Sequence, residues 1–363
     1  MLDFNNLVQL AKVVAKADPS APTAYSWNGQ SLSYDALNET LRNEFNELAG
    51  TYADYRENKN LIFKVIEKTL DEVLPKKVIE QYNQFAEVQT FAQGDKPIFR
   101  RKLGSNKRAK QFITRVGLAG IYEVFKLSKA EEAFEVRTSA IGGATQIGFE
   151  EFLDGRVDFA EVTRIVMEGM DELIYKEVAH ALKASINQLP PANRVAVAGF
   201  DEAAMDKLVM IASAYGTPTI YCTYEFAVRM IPQEAWRYTE AMKDELWRTG
   251  RLANYKNTKV VILEQGFEDE TNSRKVIDPG YAWVIPSGAD SKPVKIAFEG
   301  GTIVDEYTGY DRSREMHAYK KVGVVAMLAN NICAYVDTSL MGQMDTWYLD
   351  GSASVQNTVT VKS

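Results

Sequence analysis

The sequence predicts an α+β chain organised in about two domains, on three observations. Apolar residues recur at helical spacing through residues 1–87, residues 88–149 partly alternate apolar with polar side chains as half-buried strands do, and residues 158–187 carry one unbroken apolar stripe. The chain has 363 residues, of which 46% are hydrophobic. This length is enough for two separate hydrophobic cores.

Residues 1–87 are predicted to form an N-terminal helical arm. Apolar side chains stand three and four residues apart in two stretches, 37–48 and 61–74, and Pro75 is expected to interrupt the second before the pattern resumes at Val78. Helices joined in this way suggest an arm that lies across another copy because it cannot bury its apolar surface within its own chain. A small helical domain is the alternative interpretation.

Residues 88–149 are predicted to form a long, hairpin-like excursion. Segments 111–116, 121–127 and 134–138 alternate in part, and Gly142–Gly143 supply residues suited to a turn. We expect this excursion to be of low compactness and to gain burial only against neighbouring copies.

The clearest single element lies in residues 150–192. From Asp158 to about Asn187 there is no proline, Asp158 and Glu161 have the spacing of a capping pair, and Pro190 marks the end. A helix of this length measures about 45 Å, so it requires a sheet or a partner along its apolar side. The predicted stripe consists of Val162, Ile165, Val166, Met170, Leu173, Ile174, Val178, Ala181 and Leu182.

Residues 193–301 have the pattern of an α/β domain. Asp201 is positioned to cap one helix, and a second helix over about 233–248 is expected to end at Gly250. Gly300–Gly301 are expected to break the last strand. The predicted strands cover residues 195–198, 219–222, 259–264, 281–285 and 294–298.

Residues 302–345 are predicted to return the chain to the long helix through an apolar strand pair between Tyr319 and Val336. The last segment, 346–363, is rich in Ser, Thr and Val. It is interpreted as a tail that forms either an added edge strand or a flexible end.

The composition argues against several classes of function. The net charge is −7 and the pI about 5.2, whereas a protein that grips nucleic acid over its whole surface is expected to be basic. Cys222 and Cys333 lie in apolar runs and predict core residues in a reduced compartment. No signal peptide or bilayer-length apolar run is found, so we expect a soluble protein made inside the cell.

No set of catalytic residues is recognisable in the sequence. The chain has two histidines, His180 and His317, and it lacks phosphate-loop, nucleophile-elbow and zinc-binding motifs. Two acid-rich segments, Glu268–Glu270 and Asp305–Asp311, are interpreted as exposed loops. We therefore predict no catalytic residue, no cofactor and no metal.

One charge feature stands out between Asp95 and Arg115. Eight basic residues and one acid give this segment a formal charge of +7. A basic strip can contact phosphate, but only Phe99 and Phe112 interleave with it, which argues against a platform for stacking bases. We favour attraction of a positive hairpin to the acidic body of another copy. The cluster comprises Lys96, Arg100, Arg101, Lys102, Lys107, Arg108, Lys110 and Arg115.

This order of elements resembles the major capsid proteins of tailed bacteriophages, the HK97-fold family. Local sequence is similar in Ala140–Gly143 with Phe149–Gly155, in Glu245–Leu252 and in Asp278–Pro286. The resemblance covers roughly residues 85–340. It implies that the excursion is the E-loop, that the long helix is the spine of the P domain, and that the α/β part is the A domain.

The resemblance implies a structural role in the virion. Such a protein assembles through pentamers and hexamers into an icosahedral shell around packaged double-stranded DNA, with a portal protein at one vertex and, in some cases, scaffold or decoration proteins. Assembly in the host cytoplasm, non-specific contact with DNA and no contact with a membrane are also implied. We expect no large cleaved N-terminal segment, and we predict no crosslink although Lys102 and Lys107 are candidate lysines.

Two other functions stay open from the sequence. An encapsulin-type compartment shell resembles the same fold but stores enzymes, and nucleic acid or tagged cargo in purified particles would distinguish the two. An α/β enzyme with an unrecognised site in residues 193–301 is the third hypothesis. A monomer of 40.7 kDa that turns over a substrate would favour it.

Overall fold

The computed structural model has an α+β architecture, as predicted. Its described residues form a four-stranded sheet, a six-stranded sheet and two separate two-stranded ribbons, with helices packed on the sheets. The structure describes residues 3–17, 24–82, 85–102, 131–146, 159–231, 240–251, 253–263, 265–267, 271–272, 275–287, 292–308, 314–326 and 331–340.

The N-terminal segment is mostly helical. The side chains of Asp3 and Ser33 accept backbone N–H groups at the starts of the first two helices, as N-caps do. Asn28 and Gly29 have positive φ angles of 48° and 77°, which suit the tight turn of a short hairpin. The elements are α1 (Phe4–Lys16), β1 (Tyr25–Trp27), β2 (Gln30–Leu32), α2 (Tyr34–Ala49) and α3 (Tyr52–Tyr82).

Pro75 does not interrupt α3, contrary to the prediction. The helix continues through it to Tyr82, although an internal proline costs about 3 kcal/mol. Pro75 and the neighbouring Leu74 and Val78 are buried. Burying an aliphatic side chain contributes about 1.5–3 kcal/mol, so packing of this face outweighs the local penalty.

The arm buries apolar surface within its own chain, so the prediction that it cannot do so is wrong. Leu10 of α1, Leu41 of α2 and Ile66 of α3 belong to one hydrophobic core. The same core includes residues of the long helix and of the four-stranded sheet, so the arm is not a separate helical domain either. The periodicity located the apolar faces, but it could not show that these faces meet one another.

The four-stranded sheet carries this core. β3 pairs parallel with β12, and the pairs β12–β13 and β13–β6 are antiparallel. The sheet order is therefore β3, β12, β13, β6. Its strands are β3 (Ala86–Phe91), β6 (Ser139–Gln146), β12 (Val294–Thr308) and β13 (Arg314–Ala326).

β12 runs through the glycine pair at 300–301 that was expected to end it. The register against β13 shifts between Glu299 and Ile303, so the extra residues form a bulge and the strand continues. Asp305 and Glu306, expected in an exposed loop, are paired residues of this strand. The predicted domain boundary after the glycine pair therefore falls inside one strand.

The predicted long helix is α4 (Phe159–Ser185), which packs against the four-stranded sheet. Met170, Ile174, Val178 and Leu182 of the predicted stripe are buried. Ile165 and Leu173, assigned to the same stripe, are instead 58% and 40% exposed. At about 100° per residue, these two positions lie well away from the centre of the buried face.

The six-stranded sheet contains the α/β part of the chain. Its order is β7, β14, β11, β8, β10, β9. The carboxylate of Asp201 accepts the N–H of Ala203 at 2.9 Å, which confirms the predicted cap. The strands are β7 (Arg194–Val197), β8 (Thr217–Cys222), β9 (Asn254–Tyr255), β10 (Thr258–Ile262), β11 (Tyr281–Ser287) and β14 (Cys333–Asp337).

Three helices accompany this sheet. Gly250 follows the last of them with a φ of +71°, as expected of a residue that ends a helix. The first residues of the helix predicted over 233–248 lie outside the described part of the chain. The helices are α5 (Glu202–Ser213), α6 (Tyr224–Arg229) and α7 (Glu240–Thr249).

The predicted return strands are divided between the two sheets. β13 packs against α4, whereas β14 pairs with β7 and β11, and its Ala334 and Val336 belong to the core that includes the apolar stripe of α4. All five residues of β14 are buried, as in a central strand that is covered on both faces. Cys222 and Cys333 are buried in this sheet as predicted, and burial raises the pKa of each thiol to about 12.

Several predicted features cannot be compared with the structure. The strands at 111–116 and 121–127, the acidic segment 268–270 and the tail 346–363 all lie outside the described residues. Within the described ranges, no helix has the length and apolar character needed to span a membrane.

Two carboxylates of α3 bind backbone N–H groups of β12. Oε1 of Glu67 accepts from Val304 at 3.1 Å, and Oδ1 of Asp71 accepts from Thr302 at 2.6 Å. Four helical residues advance about 6 Å and two strand residues about 6.6 Å. Because these spacings match, one face of the helix reaches alternate amides of the strand where the bulge disturbs the ladder.

Asp71 also neutralises a buried lysine. Lys320 of β13 is 1% exposed, and its Nζ lies 2.6 Å from Oδ1 of Asp71 and 3.4 Å from the hydroxyl of Thr302. An ammonium group buried without a counter-charge costs several kcal/mol. The carboxylate of Asp71 therefore stabilises the bulge of β12 and the lysine of the next strand together.

Replacing Asp71 with Asn should lower the free energy of unfolding by about 3 kcal/mol, because Lys320 loses its counter-charge while the side-chain shape is kept. Urea unfolding of the subunit measures the change. In a Lys320→Met background, the same substitution should cost less than about 1 kcal/mol. Lys96→Met, which removes an exposed ion pair with Glu135, is the control with an expected cost below about 1 kcal/mol. Equal losses for D71N and K96M would contradict this account.

Candidate assembly surface

The described base of the excursion is a two-stranded antiparallel ribbon that pairs with neither of the larger sheets. It consists of β4 (Ile98–Lys102) and β5 (Glu131–Glu135), and we call it the excursion ribbon. Ile98 and Arg100 are exposed on β4, whereas Phe99 between them is 1% exposed. The ribbon therefore has one face turned towards its own chain and one outer face that carries apolar and basic side chains.

The structure describes four of the eight basic residues predicted to form the assembly cluster. Lys96 and Arg100 are exposed, and Arg101 and Lys102 lie on β4 by their backbone position. The other four lie outside the described residues: Lys107, Arg108, Lys110 and Arg115.

The returning strand of the ribbon is acidic, which the charge count over residues 95–115 missed. Arg101 stands opposite Glu132 in the register, and Lys102 stands opposite Glu131. The ammonium of Lys96 also lies 3.6 Å from Oε1 of Glu135. The exposed Lys96–Glu135 pair contributes about 0.2–1 kcal/mol to the stability of the ribbon. The acids at 131, 132 and 135 were visible in the sequence, but the strand pairing was needed to connect them with the cluster.

A small apolar core holds the inner face of the ribbon against the four-stranded sheet. Phe99, Phe134 and Val136 pack with Ala297 and Val325 of the sheet. In addition, the rings of Phe99 and Phe91 pack edge-to-face, with centroids 5.7 Å apart. The part of the excursion nearest the sheet is thus buried in its own chain, contrary to the expectation that it gains burial only from neighbours.

Glu299 of β12 joins both ends of the excursion to the sheet. Its Oε1 accepts the N–H of Gly94 at 3.2 Å on the outgoing side, and its Oε2 accepts the hydroxyl of Thr138 on the returning side. Lys321 of β13 lies 3.2 Å from Oε1. The hydrogen bond from Thr138, followed by those from Gly94 and Lys321, lowers the pKa of Glu299 although burial opposes the shift.

These contacts lie on one row across the sheet. Phe91 of β3 pairs with Glu299, Glu299 pairs with Lys321, and Lys321 pairs with Ala140 of β6. The excursion therefore leaves the sheet at one end of this row, after β3, and returns at the other end, before β6.

The exposed side of α4 offers a second surface, which we call the α4 outer face. It comprises Ile165, Glu168, Gly169, Glu172 and Leu173, all exposed. Partly exposed ion pairs on the same helix compensate the two acids in part: Arg164 lies 4.0 Å from Glu168, and Lys176 lies 3.4 Å from Glu172. Pairs of this kind contribute only about 0.3–0.5 kcal/mol, so both carboxylates can exchange partners at little cost. An apolar and acidic face of a helix is complementary in character to an apolar and basic strand.

A cleft of about 440 Å³ opens between α3, α4 and β10. Lys77, Asp171, Tyr175, Tyr221 and Leu263 are among its lining residues, and Lys77 pairs with Asp171 at 3.0 Å. Glu168 and Glu172 of the α4 outer face also line this cleft, so it opens beside that surface.

The two histidines lie apart in the fold. His180 is half-buried on α4, and burial lowers its pKa. His317 lies on β13, where Nε2 is 3.1 Å from a carboxylate oxygen of Glu315 and the ring stacks edge-on against Tyr307. Among the described residues, no group of three or more His, Cys, Asp or Glu side chains is arranged to hold a metal ion.

Comparison with known proteins identifies a family. The family model described as "SPbeta prophage-derived putative capsid protein YonB" matches residues 6–337. No curated protein sequence matches the chain. The match extends from the first helix through both sheets to the end of β14.

Solved structures of phage proteins and of an encapsulin are similar at low sequence identity. A phage-related protein from Bordetella bronchiseptica has 12% identity and a TM-score of 0.49, covering 77% of this chain and 97% of its own. The mature capsid of bacteriophage PhiM1 has 7% identity and a TM-score of 0.46, covering 70% and 86%. The SrpI encapsulin of Synechococcus elongatus has 9% identity and a TM-score of 0.41, covering 70% and 87%. The family assignment rests on the family model.

The lowered pKa of Glu299 predicts a pH-dependent contribution to stability. Its carboxyl takes up a proton more readily in the unfolded chain, where the reference pKa is 4.5, than in the folded chain. The advantage of the wild type over Glu299→Gln should therefore be complete above that value and decline as the pH falls through the lower folded-state pKa. Urea unfolding of both proteins between about pH 7 and about pH 3 measures this difference. If the wild type and Glu299→Gln differ in free energy of unfolding by the same amount over that range, the pKa of Glu299 is not lowered by folding.

Proposed function

The chain belongs to the YonB family of prophage-derived capsid proteins, and from this premise we propose that many copies of it close into an icosahedral shell through pentamers and hexamers. A capsid protein is a structural component of a phage particle, and its family implies a non-catalytic role. The observation that carries the proposal is the match of the family model over residues 6–337, which includes the arm, the long helix and both sheets.

We propose that the excursion ribbon of one copy contacts the α4 outer face of another. The ribbon offers Ile98 and Arg100 with Lys96 beside them, and the helix offers Ile165 with its acidic neighbours. Each copy carries both surfaces, and they are different surfaces. A contact between different surfaces repeats from copy to copy and closes into a ring when the rotation between copies permits.

The two parts of this contact have different roles. Fully burying an aliphatic side chain contributes about 1.5–3 kcal/mol, so Ile98, Ile165 and Leu173 supply most of the affinity. An exposed ion pair contributes about 0.2–1 kcal/mol. Charges at Arg100, Glu168 and Glu172 therefore act mainly by guiding the encounter and fixing the register of the strand on the helix. We also propose that the full basic cluster acts in assembly. It comprises Lys96, Arg100, Arg101, Lys102, Lys107, Arg108, Lys110 and Arg115.

We further propose that the shell encloses double-stranded DNA without gripping its sequence. A chain with a net charge of −7 is suited to a wall that confines nucleic acid, not to one that binds it tightly over its whole surface. Assembly in the host cytoplasm, a portal protein at one vertex, and scaffold or decoration proteins are part of the same proposal.

The first experiment tests for the shell itself. The full chain expressed alone, or with any scaffold protein encoded beside it, should yield closed particles by electron microscopy and a species far above the 40.7 kDa of one chain by light scattering. A stable monomer under both conditions would contradict the proposal. Particles from phage-producing cells that contain protein cargo instead of DNA would assign the chain to the alternative, an encapsulin-type compartment.

Charge reversal tests the contact between the ribbon and α4. Arg100→Glu, Arg101→Glu and Lys102→Glu together should lower the yield of closed particles at least about tenfold, because the loss at one contact is repeated at every equivalent contact of the shell. Adding Glu168→Lys and Glu172→Lys to the same chain should restore particles, because every copy then carries the reversed pair.

Lys207→Glu on α5 is the matched control, since it reverses an exposed basic residue outside both surfaces. It should leave the particle yield unchanged. Normal particles from the triple reversal, or failure of the compensating acids to restore them, would exclude this contact.

A further inference from the structure

The direction of the excursion ribbon is not fixed by the sheets of the protein. Its strands pair with each other and with no strand of the larger sheets among the described residues. Val136 donates its N–H to the carbonyl of Pro97 at 2.8 Å, which joins the outgoing and returning segments to each other but not to the sheet. Apart from the two connecting segments of the chain, the ribbon is therefore held to the body by side-chain contacts.

Two kinds of side-chain contact do this. The apolar core around Phe99 resists removal of the ribbon, but apolar burial has no preferred direction, so it permits the ribbon to tilt. Hydrogen bonds weaken steeply when their geometry is disturbed, so they oppose tilting. Among the described residues, the carboxylate of Glu299 makes hydrogen bonds to both sides, through Gly94 and Thr138.

A small tilt at this base has a large effect at the outer face. The five residues of each strand extend roughly 17 Å, so a tilt of about 10° displaces the far end by about 3 Å. Apolar contacts require heavy atoms within about 4–4.5 Å of each other. A displacement of this size removes them.

We propose that Glu299 is the positioning residue that sets the angle at which the excursion ribbon leaves the sheet, so that the ribbon meets the next copy in one register. This inference rests on the proposed function, since the angle matters when another copy is to be reached. Lys321 of β13 supplies the counter-charge, with its Nζ 3.2 Å from Oε1 of Glu299.

Thr138→Val tests the inference, because valine has nearly the shape of threonine and removes only the hydroxyl that Glu299 binds on the returning side. Hydrogen exchange of peptides covering residues 91–97 and 136–138 should become at least about tenfold faster. Closed particles of wild-type diameter should fall to a minor fraction, replaced by open sheets or by particles of mixed size. The melting temperature of the unassembled subunit should change little.

Two further variants make the result specific. Thr138→Ser keeps the hydroxyl and should restore both wild-type exchange and uniform particles. Thr90→Val on β3 is the matched control, since it makes the same substitution at an exposed threonine that Glu299 does not bind, and it should give uniform particles. Should Thr138→Val fail to fold, Glu299→Asp provides the same measurement, because the shorter side chain cannot reach both sides.

The outcomes distinguish this inference from the proposed function. Wild-type chains that form no shell under any condition contradict the proposed function. Wild-type shells together with wild-type exchange and uniform particles from Thr138→Val overturn the inference and leave the function intact. Mixed particles from Thr90→Val at the same level would also overturn it, because loss of a threonine hydroxyl elsewhere in the sheet would then have the same effect.

Discussion

The contact of Asp71 with Thr302 and Lys320 is the constraint on which the arrangement of the body depends. One carboxylate on α3 holds the amide at the β12 bulge and the buried ammonium of the neighbouring strand. Without it, the sheet would carry an unpaired charge beneath the arm, and the bulge would leave a backbone donor without a strand partner. The arm, the sheet and the bulge are therefore mutually dependent, and Glu299 lies at the start of that bulge.

Much of the fold follows from the sequence because it is recorded in local patterns. The cap at Asp201, the length of α4 and the strands around Cys222 are set by neighbouring residues, and the structure agrees. The failures share a different cause. Pro75 inside α3 and the glycine pair inside β12 are local signals of interruption that packing across the molecule overrides. A single sequence contains no record of which distant surface will cover a given face.

The candidate assembly surface was predictable in charge but not in geometry. The basic residues after Asp95 stand out by counting, yet the acids at 131, 132 and 135 matter only because β5 folds back on β4. Glu299 was not predicted, since an isolated glutamate beside a glycine has no distinguishing pattern. Its importance comes from its three partners, Gly94, Thr138 and Lys321, which are distant in sequence and are brought to one carboxylate only by the fold.

The row that joins Phe91, Glu299, Lys321 and Ala140 has a mechanical meaning. Because the excursion departs from one edge strand of the sheet and comes back to the other, tension applied to it by a neighbour reaches both edges together. Such a load is divided over the hydrogen bonds of all four strands, whereas a loop attached to one hairpin would open that hairpin from its end. In a shell of these subunits under internal pressure, the strain would thus pass through the four-stranded sheet of each subunit.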